Sequence, residues 1–109
     1  MTEDNTTQQH TTDEKIFDLA DRLIEVVNEA TDTLSAGEAH QALMYASARF
    51  GAFIVAGSSQ SRNDFKEDQL AARNFYMDQF RRLLTANFDE YLENYKEYVG
   101  QDTEEHGGE

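Results

Sequence analysis

The centre of the chain decides the fold and reads AHQALMYASARFGAFIVAGSSQS from Ala39 to Ser61. These 23 residues carry one formal charge, on Arg49, whereas the whole chain of 109 residues has a formal net charge of −13. A helix that faces water on one side carries its polar residues on that side. A segment with so few charges therefore predicts a helix that is buried on most of its circumference by acidic neighbours.

The segments on either side repeat apolar residues at intervals of three and four, which is typical of one-sided helices. Thr11 and Glu14 have the spacing of a capping box, and so do Ser35 and Glu38, which predicts helix starts at both places. The chain contains no proline, so nothing interrupts a helical hydrogen-bond ladder. We predict an all-α fold, an antiparallel bundle of three long helices with the second helix innermost.

The sequence of the last helix allows two forms. It is either continuous or broken near Thr85–Asn87, because Asn87 and Glu90 have the spacing to cap a short fourth helix. Residues 1–10 and 100–109 lack apolar periodicity and are predicted to be disordered tails, the second one acidic. This leaves a single helical domain at residues 11–99.

Composition excludes several classes of protein. The chain has no cysteine, so it has no disulfide, no disulfide-linked partner and no thiol nucleophile. Its negative charge repels nucleic-acid phosphates and anionic membranes. The least polar window, Ala42–Ala56, is shorter than the roughly 20 apolar residues that span a bilayer, and Arg49 lies at its centre. We expect a cytoplasmic protein that binds neither nucleic acid nor membrane.

Motifs for catalysis or metal binding are missing from the sequence. The three histidines, His10, His40 and His106, form no pair with the spacing of a helical zinc site. No serine lies in a G-x-S-x-G elbow, and no glycine-rich loop could hold a phosphate. We therefore expect no metal, no cofactor and no enzymatic activity.

Arg49 is the first candidate functional residue, because it interrupts an apolar helix. It must reach solvent, pair with an acid or face a cavity. One hypothesis is a structural ion pair with an acid of the first or third helix. The other is a binding site for a small anion or a partner, with Tyr45 and Phe53 as walls, each one helical turn from Arg49.

A stripe of aromatic residues near the C-terminus is the second candidate site. Phe88, Tyr91, Tyr95 and Tyr98 lie at helical spacing, which is typical of a core. If this segment extends past the bundle, the stripe is exposed and predicts an interface for self-association or for docking of another protein.

A basic cluster precedes this stripe in the third helix. Its members are Arg62, Lys66, Arg73, Arg81 and Arg82. These residues could pair within the chain, with Asp78 or the first helix, or with an acidic face of a second subunit. Pairing within the chain is the simpler alternative, because it needs no second molecule.

Three stretches resemble a family of small proteobacterial proteins, namely FDLADR at 17–22, LMYASARFGAF at 43–53 and KED at 66–68. That family is catalogued only as a domain of unknown function, and the likeness runs from Phe17 to Leu92. The resemblance implies a bacterial, soluble, helical protein. It carries over no activity and no site.

From these observations we expect a non-enzymatic protein-interaction or regulatory module, with a homodimer as one form. It would act on a partner protein through an aromatic or acidic surface. The alternative is a helical bundle that binds a small anion at Arg49.

Overall fold

The computed structural model describes residues 11–100. In this range the chain forms four helices, α1 (Thr12–Ala30), α2 (Ala36–Ser58), α3 (Arg62–Glu93) and α4 (Tyr95–Val99). No strand occurs in the described residues. The predicted all-α class, with three long helices and a short fourth one, is confirmed. The tails predicted at 1–10 and 100–109 lie outside the described residues except for Gly100, and the single domain at 11–99 stays a prediction.

Hydroxyl side chains cap the start of each long helix, as the sequence spacing predicts for the first two. The Thr11 hydroxyl accepts the Glu14 backbone N–H at 3.1 Å, and the Glu14 carboxylate accepts the Thr11 N–H at 3.0 Å. Ser35 and Glu38 make the same reciprocal pair at 3.1 and 2.9 Å. Before α3, the Ser61 hydroxyl accepts the N–H three residues further on at 3.0 Å. These bonds satisfy N–H groups that have no partner inside the helix.

The chain divides into two units, one ending at Ile54 and the other beginning at Val55. In the second unit, Ser59 holds the turn between the end of α2 and the start of α3. Its hydroxyl lies 2.8 Å from the Val55 carbonyl oxygen and 3.1 Å from a carboxylate oxygen of Asp68. The turn is thus fixed by a side chain that contacts both helices.

The break in the last helical segment lies at Asn94, which corrects the predicted break near Thr85–Asn87. α3 runs through that stretch, where the Asn87 side-chain amide donates to the Leu83 carbonyl at 2.8 Å. That bond lies along the same helix, so Asn87 does not act as a cap. At Asn94 the backbone leaves the helical region, with φ −116° and ψ 32°.

Contacts across Asn94 hold α4 against the end of α3. The Tyr98 hydroxyl donates to the Glu90 carboxylate at 2.6 Å, and the Tyr98 ring lies against that of Tyr91. α4 ends at Gly100, whose φ of 87° is in the left-handed region that favours glycine.

Burial is confined to the start of α2. Ala39, at 2% exposure, is the one fully buried residue between positions 11 and 100, whereas Phe50 and Phe53 are 64% and 69% exposed. The prediction that this helix is buried on most of its circumference is therefore wrong within the first unit. Side chains of α1 share a groove only with the part of α2 up to Ala46, so the later turns have no cover within their unit.

The cap at Ser35 yields a test of how far local bonds stabilise this chain. We expect Ser35→Ala to lower the free energy of unfolding by about 1 kcal/mol, because the Glu38 backbone N–H loses the hydroxyl that accepts its hydrogen bond. Urea unfolding followed by circular dichroism measures this change. Ser47→Ala, inside α2 and without a hydrogen bond of this kind, is the control and should be neutral or slightly stabilising. Equal losses in the two variants would contradict the role of the cap.

Candidate protein-interaction surface

An apolar groove runs between α1 and the first half of α2, within the first unit. It has a volume of about 240 Å³. Every residue that lines it is apolar, and the lining consists of Leu23, Val26, Val27, Ala30, Leu34, Ala39, Ala42, Leu43 and Ala46. Because alanines form most of the α2 wall, the groove has room for larger side chains of a neighbouring helix.

Two phenylalanines continue the α2 wall beyond the groove. Phe50 and Phe53 follow Ala46 by four and seven residues, so they lie on the same side of a helix with 3.6 residues per turn. Their ring centroids are 6.0 Å apart, and both rings are largely exposed. We use the name groove face for the six residues Ala39, Ala42, Leu43, Ala46, Phe50 and Phe53 of α2.

Five of the six acidic residues of α1 lie on the side of that helix away from the groove, and Asp13 in the first turn is the exception. The five recur at intervals of three and four and are Glu14, Asp18, Asp21, Glu25 and Glu29. At 100° per residue, the centre of this row is about 100° or more away from every α1 residue that lines the groove. The groove is therefore uncharged although the first unit is acidic.

The three residues of the predicted anion site, Tyr45, Arg49 and Phe53, follow one another at intervals of four on α2. All three are exposed, and none of them lines the groove. Among the ion pairs formed within residues 11–100, none involves Arg49. The hypothesis of a structural ion pair therefore finds no support in the described residues, and the hypothesis of an anion site stays a prediction.

The C-terminal aromatic stripe is only partly brought together. The rings of Tyr91 and Tyr98 lie 4.7 Å apart between centroids, tilted by 57°. Phe88 is 64% exposed and Tyr95 is 43% exposed, and neither takes part in a ring contact within the described range. The break at Asn94 explains this arrangement, because it turns Tyr98 back toward Tyr91. The role of these four residues as an interface stays a prediction.

The hydrogen bond from Tyr98 to Glu90 changes the acidity of the phenol. The Glu90 carboxylate accepts a hydrogen bond from the Tyr98 hydroxyl and thereby raises the pKa of Tyr98 above its usual value of 10.0. Desolvation and the negative charges of Glu90 and Glu97 act in the same direction. The neutral phenol is thus the form that suits the folded chain, and this bond is present at neutral pH.

The basic cluster of α3 is partly neutralised within the chain. Arg81 and Arg82 both pair with the carboxylate of Asp78, and the Arg82 pair has an N–O distance of 3.3 Å. Both guanidinium groups are largely exposed and the Asp78 side chain is about half exposed, so these pairs contribute little to stability. One carboxylate serves two guanidinium groups, so the pairs neutralise charge only in this part of α3.

Metal sites and membrane-spanning helices do not occur in the part of the chain that the structure describes. No group of three or more histidine, cysteine or acidic side chains there has a geometry that could hold a metal ion. None of the helices between residues 11 and 100 combines the length and the apolar character needed to cross a membrane.

Sequence reasoning did not identify the groove, although its signal is present in the sequence. Ala39, Ala42 and Ala46 mark α2 as a helix that other helices can approach closely, and Leu23 and Val27 mark the facing stripe of α1. The sequence does not show how these two stripes meet. The connection after Ala30 sets the angle between α1 and α2. Sequence periodicity shows which side of each helix is apolar, but it does not show how much of that side a neighbour covers.

The Tyr98 bond predicts a specific pH dependence. Because the folded pKa is raised, the contribution of this bond is complete below the unfolded value of 10.0 and is lost as the pH rises through the folded value. Carbon NMR of labelled tyrosine, assigned with Tyr98→Phe, should show Tyr98 titrating above pH 10.0. Glu90→Ala should lower this pKa toward the usual value, whereas the control Glu93→Ala should leave it raised. A Tyr98 pKa that does not respond to Glu90→Ala would contradict the bond.

Arg49 yields a second test. We expect Arg49→Met to change the free energy of unfolding by no more than about 0.5 kcal/mol, because this exposed side chain lies outside the ion pairs of the described residues. Urea unfolding measures the change, with Arg22→Met in α1 as the matched control. A loss above roughly 1.5 kcal/mol, specific to Arg49, would instead show a structural ion pair. A thermal shift caused by citrate and abolished in Arg49→Met would support the anion site.

Comparison with known proteins places the chain in a family. Neither the curated proteins nor the solved structures gave a match. The sequence pattern of one family, described as Protein of unknown function (DUF3144), matches residues 16–92. This range contains α1 from Ile16 onward, all of α2, and α3 without its last residue. It therefore includes the groove face and Arg49. Since the match covers more than half of the 109 residues, the chain belongs to the DUF3144 family.

Proposed function

We propose that this chain is a non-enzymatic protein-interaction module of the bacterial cytoplasm, and that it presents the groove face of α2 to an apolar helix of another polypeptide. The observation that carries the proposal is the apolar groove itself, continued along α2 by two exposed phenylalanine rings. The same surface would serve a regulatory role through binding. A homodimer is one form of such binding.

Energetics favour a surface that is covered by another chain. Ordering one residue of backbone opposes folding by roughly 1–2 kcal/mol, and in proteins most of the stability of a helix comes from packing of its apolar face. Against this, the residues between 11 and 100 include one fully buried side chain, the small Ala39. Large side chains such as Leu23, Phe50 and Phe53 remain exposed, and burying each of them would contribute about 1.5–3 kcal/mol.

The shape of the surface favours a helix as the occupant. The groove lies between two helices, and its lining residues recur at intervals of three and four along both walls. An amphipathic helix presents its apolar residues with the same spacing, so its side chains can enter such a groove in register. An extended strand would present alternate residues and would leave its backbone N–H and C=O groups facing an uncharged wall.

Paired glutamate variants test this function. Ala46→Glu places a charge in the groove face, and Ala48→Glu places the same charge on the opposite side of α2. We expect amide exchange in α2 to slow as the wild-type protein is concentrated, because another chain covers the groove face. Ala46→Glu should abolish this dependence, and Ala48→Glu should retain it. Mass spectrometry of hydrogen exchange at several protein concentrations makes the measurement.

One result would overturn the proposal. If α2 amides in the wild-type protein exchange slowly at every concentration while sedimentation shows a monomer, the groove face is already covered within one chain. It would then be an internal contact and not a binding surface.

A further inference from the structure

We infer that the occupant of the groove face is the groove face of a second copy of this chain, with the two α2 helices running antiparallel and meeting at Ala46. This inference rests on the proposed function and names the partner for that surface. Three properties of the described residues carry it: the order of small and large side chains along α2, the position of the charges, and the apolar area available.

Small residues lie at one end of the groove face and large residues at the other. In an antiparallel pair centred on Ala46, residues whose numbers add to 92 lie opposite one another. Ala42 then faces Phe50 of the second copy, and Ala39 faces Phe53. Each phenylalanine ring then meets an alanine of the other copy, so large side chains meet small ones at these positions, while Leu43 lies opposite Arg49.

A parallel pair of the same helices would fit poorly. It would place Phe50 against Phe50 and Ala42 against Ala42, so that the rings hold the helices apart while a gap remains between the alanines. Unfilled space of this kind forfeits dispersion contacts and destabilises the interface. The antiparallel pair is also a closed twofold arrangement, the commonest symmetry of protein oligomers.

Charge selects α2 as the surface through which two copies can meet. Each chain has a formal net charge of −13, so contact through acidic faces would be opposed by repulsion. Between positions 36 and 58, only Glu38 and Arg49 carry a formal charge. The acidic row of α1 lies away from the groove, so it stays in solvent when two groove faces meet.

The apolar area approaches what a stable dimer needs. Phe50 and Phe53 are 64% and 69% exposed, so burying both removes roughly 130 Å² each, taking about 200 Å² for a whole ring side chain. The exposed parts of the groove aliphatics add on the order of 300 Å². With Arg49 and Ile54 at its edges, the face offers on the order of 600 Å² per partner, below the roughly 800 Å² of a standard interface.

Single-cysteine variants of the full chain test both the face and the direction, because the wild-type chain has no cysteine. Under mild oxidation, Ala46→Cys should form a disulfide-linked dimer, since the two copies of this position meet at the twofold axis. Ala42→Cys should not, because eight residues at about 1.5 Å each separate its two copies along the axis by roughly 12 Å, beyond the reach of a disulfide. Ala48→Cys, on the opposite side of α2, is the matched control and should not cross-link either.

Sedimentation equilibrium gives an independent measurement. Phe53→Ala should weaken dimerisation of the full chain roughly tenfold or more, because a large aromatic anchor is lost. Met44→Ala removes a large apolar side chain from the other side of α2 and should change the dissociation constant less than twofold. Circular dichroism confirms that each variant is helical before the comparison is made.

Four results would overturn the inference. Each of them can be told apart from a failure of the proposed function. Cross-linking of Ala42→Cys as efficient as that of Ala46→Cys shows parallel pairing. Cross-linking of Ala48→Cys as efficient as that of Ala46→Cys shows random collision. An equal effect of Met44→Ala and Phe53→Ala shows a dimer through another surface. A wild-type monomer at all concentrations excludes self-association, and the exchange rates of α2 then decide whether the groove face serves a different helix or is covered within the chain.

Discussion

The described structure depends on one constraint, which is that α2 carries apolar side chains around most of its circumference while its own unit covers only its start. α1 meets α2 as far as Ala46 and buries Ala39. Beyond that point, within the first unit, the rings of Phe50 and Phe53 contact one another and remain largely exposed. The apolar groove follows from this incomplete cover. α2 carries only two charged residues, so the side chains that its unit leaves uncovered are mostly apolar.

Features that depend on local bonds could be predicted from the sequence. The helix starts at Thr12 and Ala36 are fixed by hydroxyl and carboxylate groups three residues apart, a spacing that is visible in any sequence. The all-α class follows in the same way from apolar residues at intervals of three and four. These features need no knowledge of which residues meet across the chain, so a single sequence suffices for them.

Features that depend on contacts between elements could not be predicted as well. Asn87 and Asn94 each donate the side-chain amide to the carbonyl four residues earlier, yet only Asn94 ends a helix, and Tyr98 and Glu90 are joined across it. The predicted burial of α2 is too extensive for the first unit, since an apolar circumference shows which side chains a helix could bury and not which of them its unit covers. The anion site at Arg49 depends on neighbours that sequence does not specify, and the structure gives Arg49 an exposed position beside the groove face.

The capped starts of the helices have a consequence for the rate at which this protein meets a partner. Each cap joins groups only three residues apart, so it acts within one turn and does not need a second chain. Rigid helices lose less conformational entropy on docking than a coil that must fold as it binds. Encounters should then proceed at the roughly 10⁵–10⁷ M⁻¹s⁻¹ of preformed surfaces, and the lifetime of the complex, rather than its formation, should govern how much of the protein is bound.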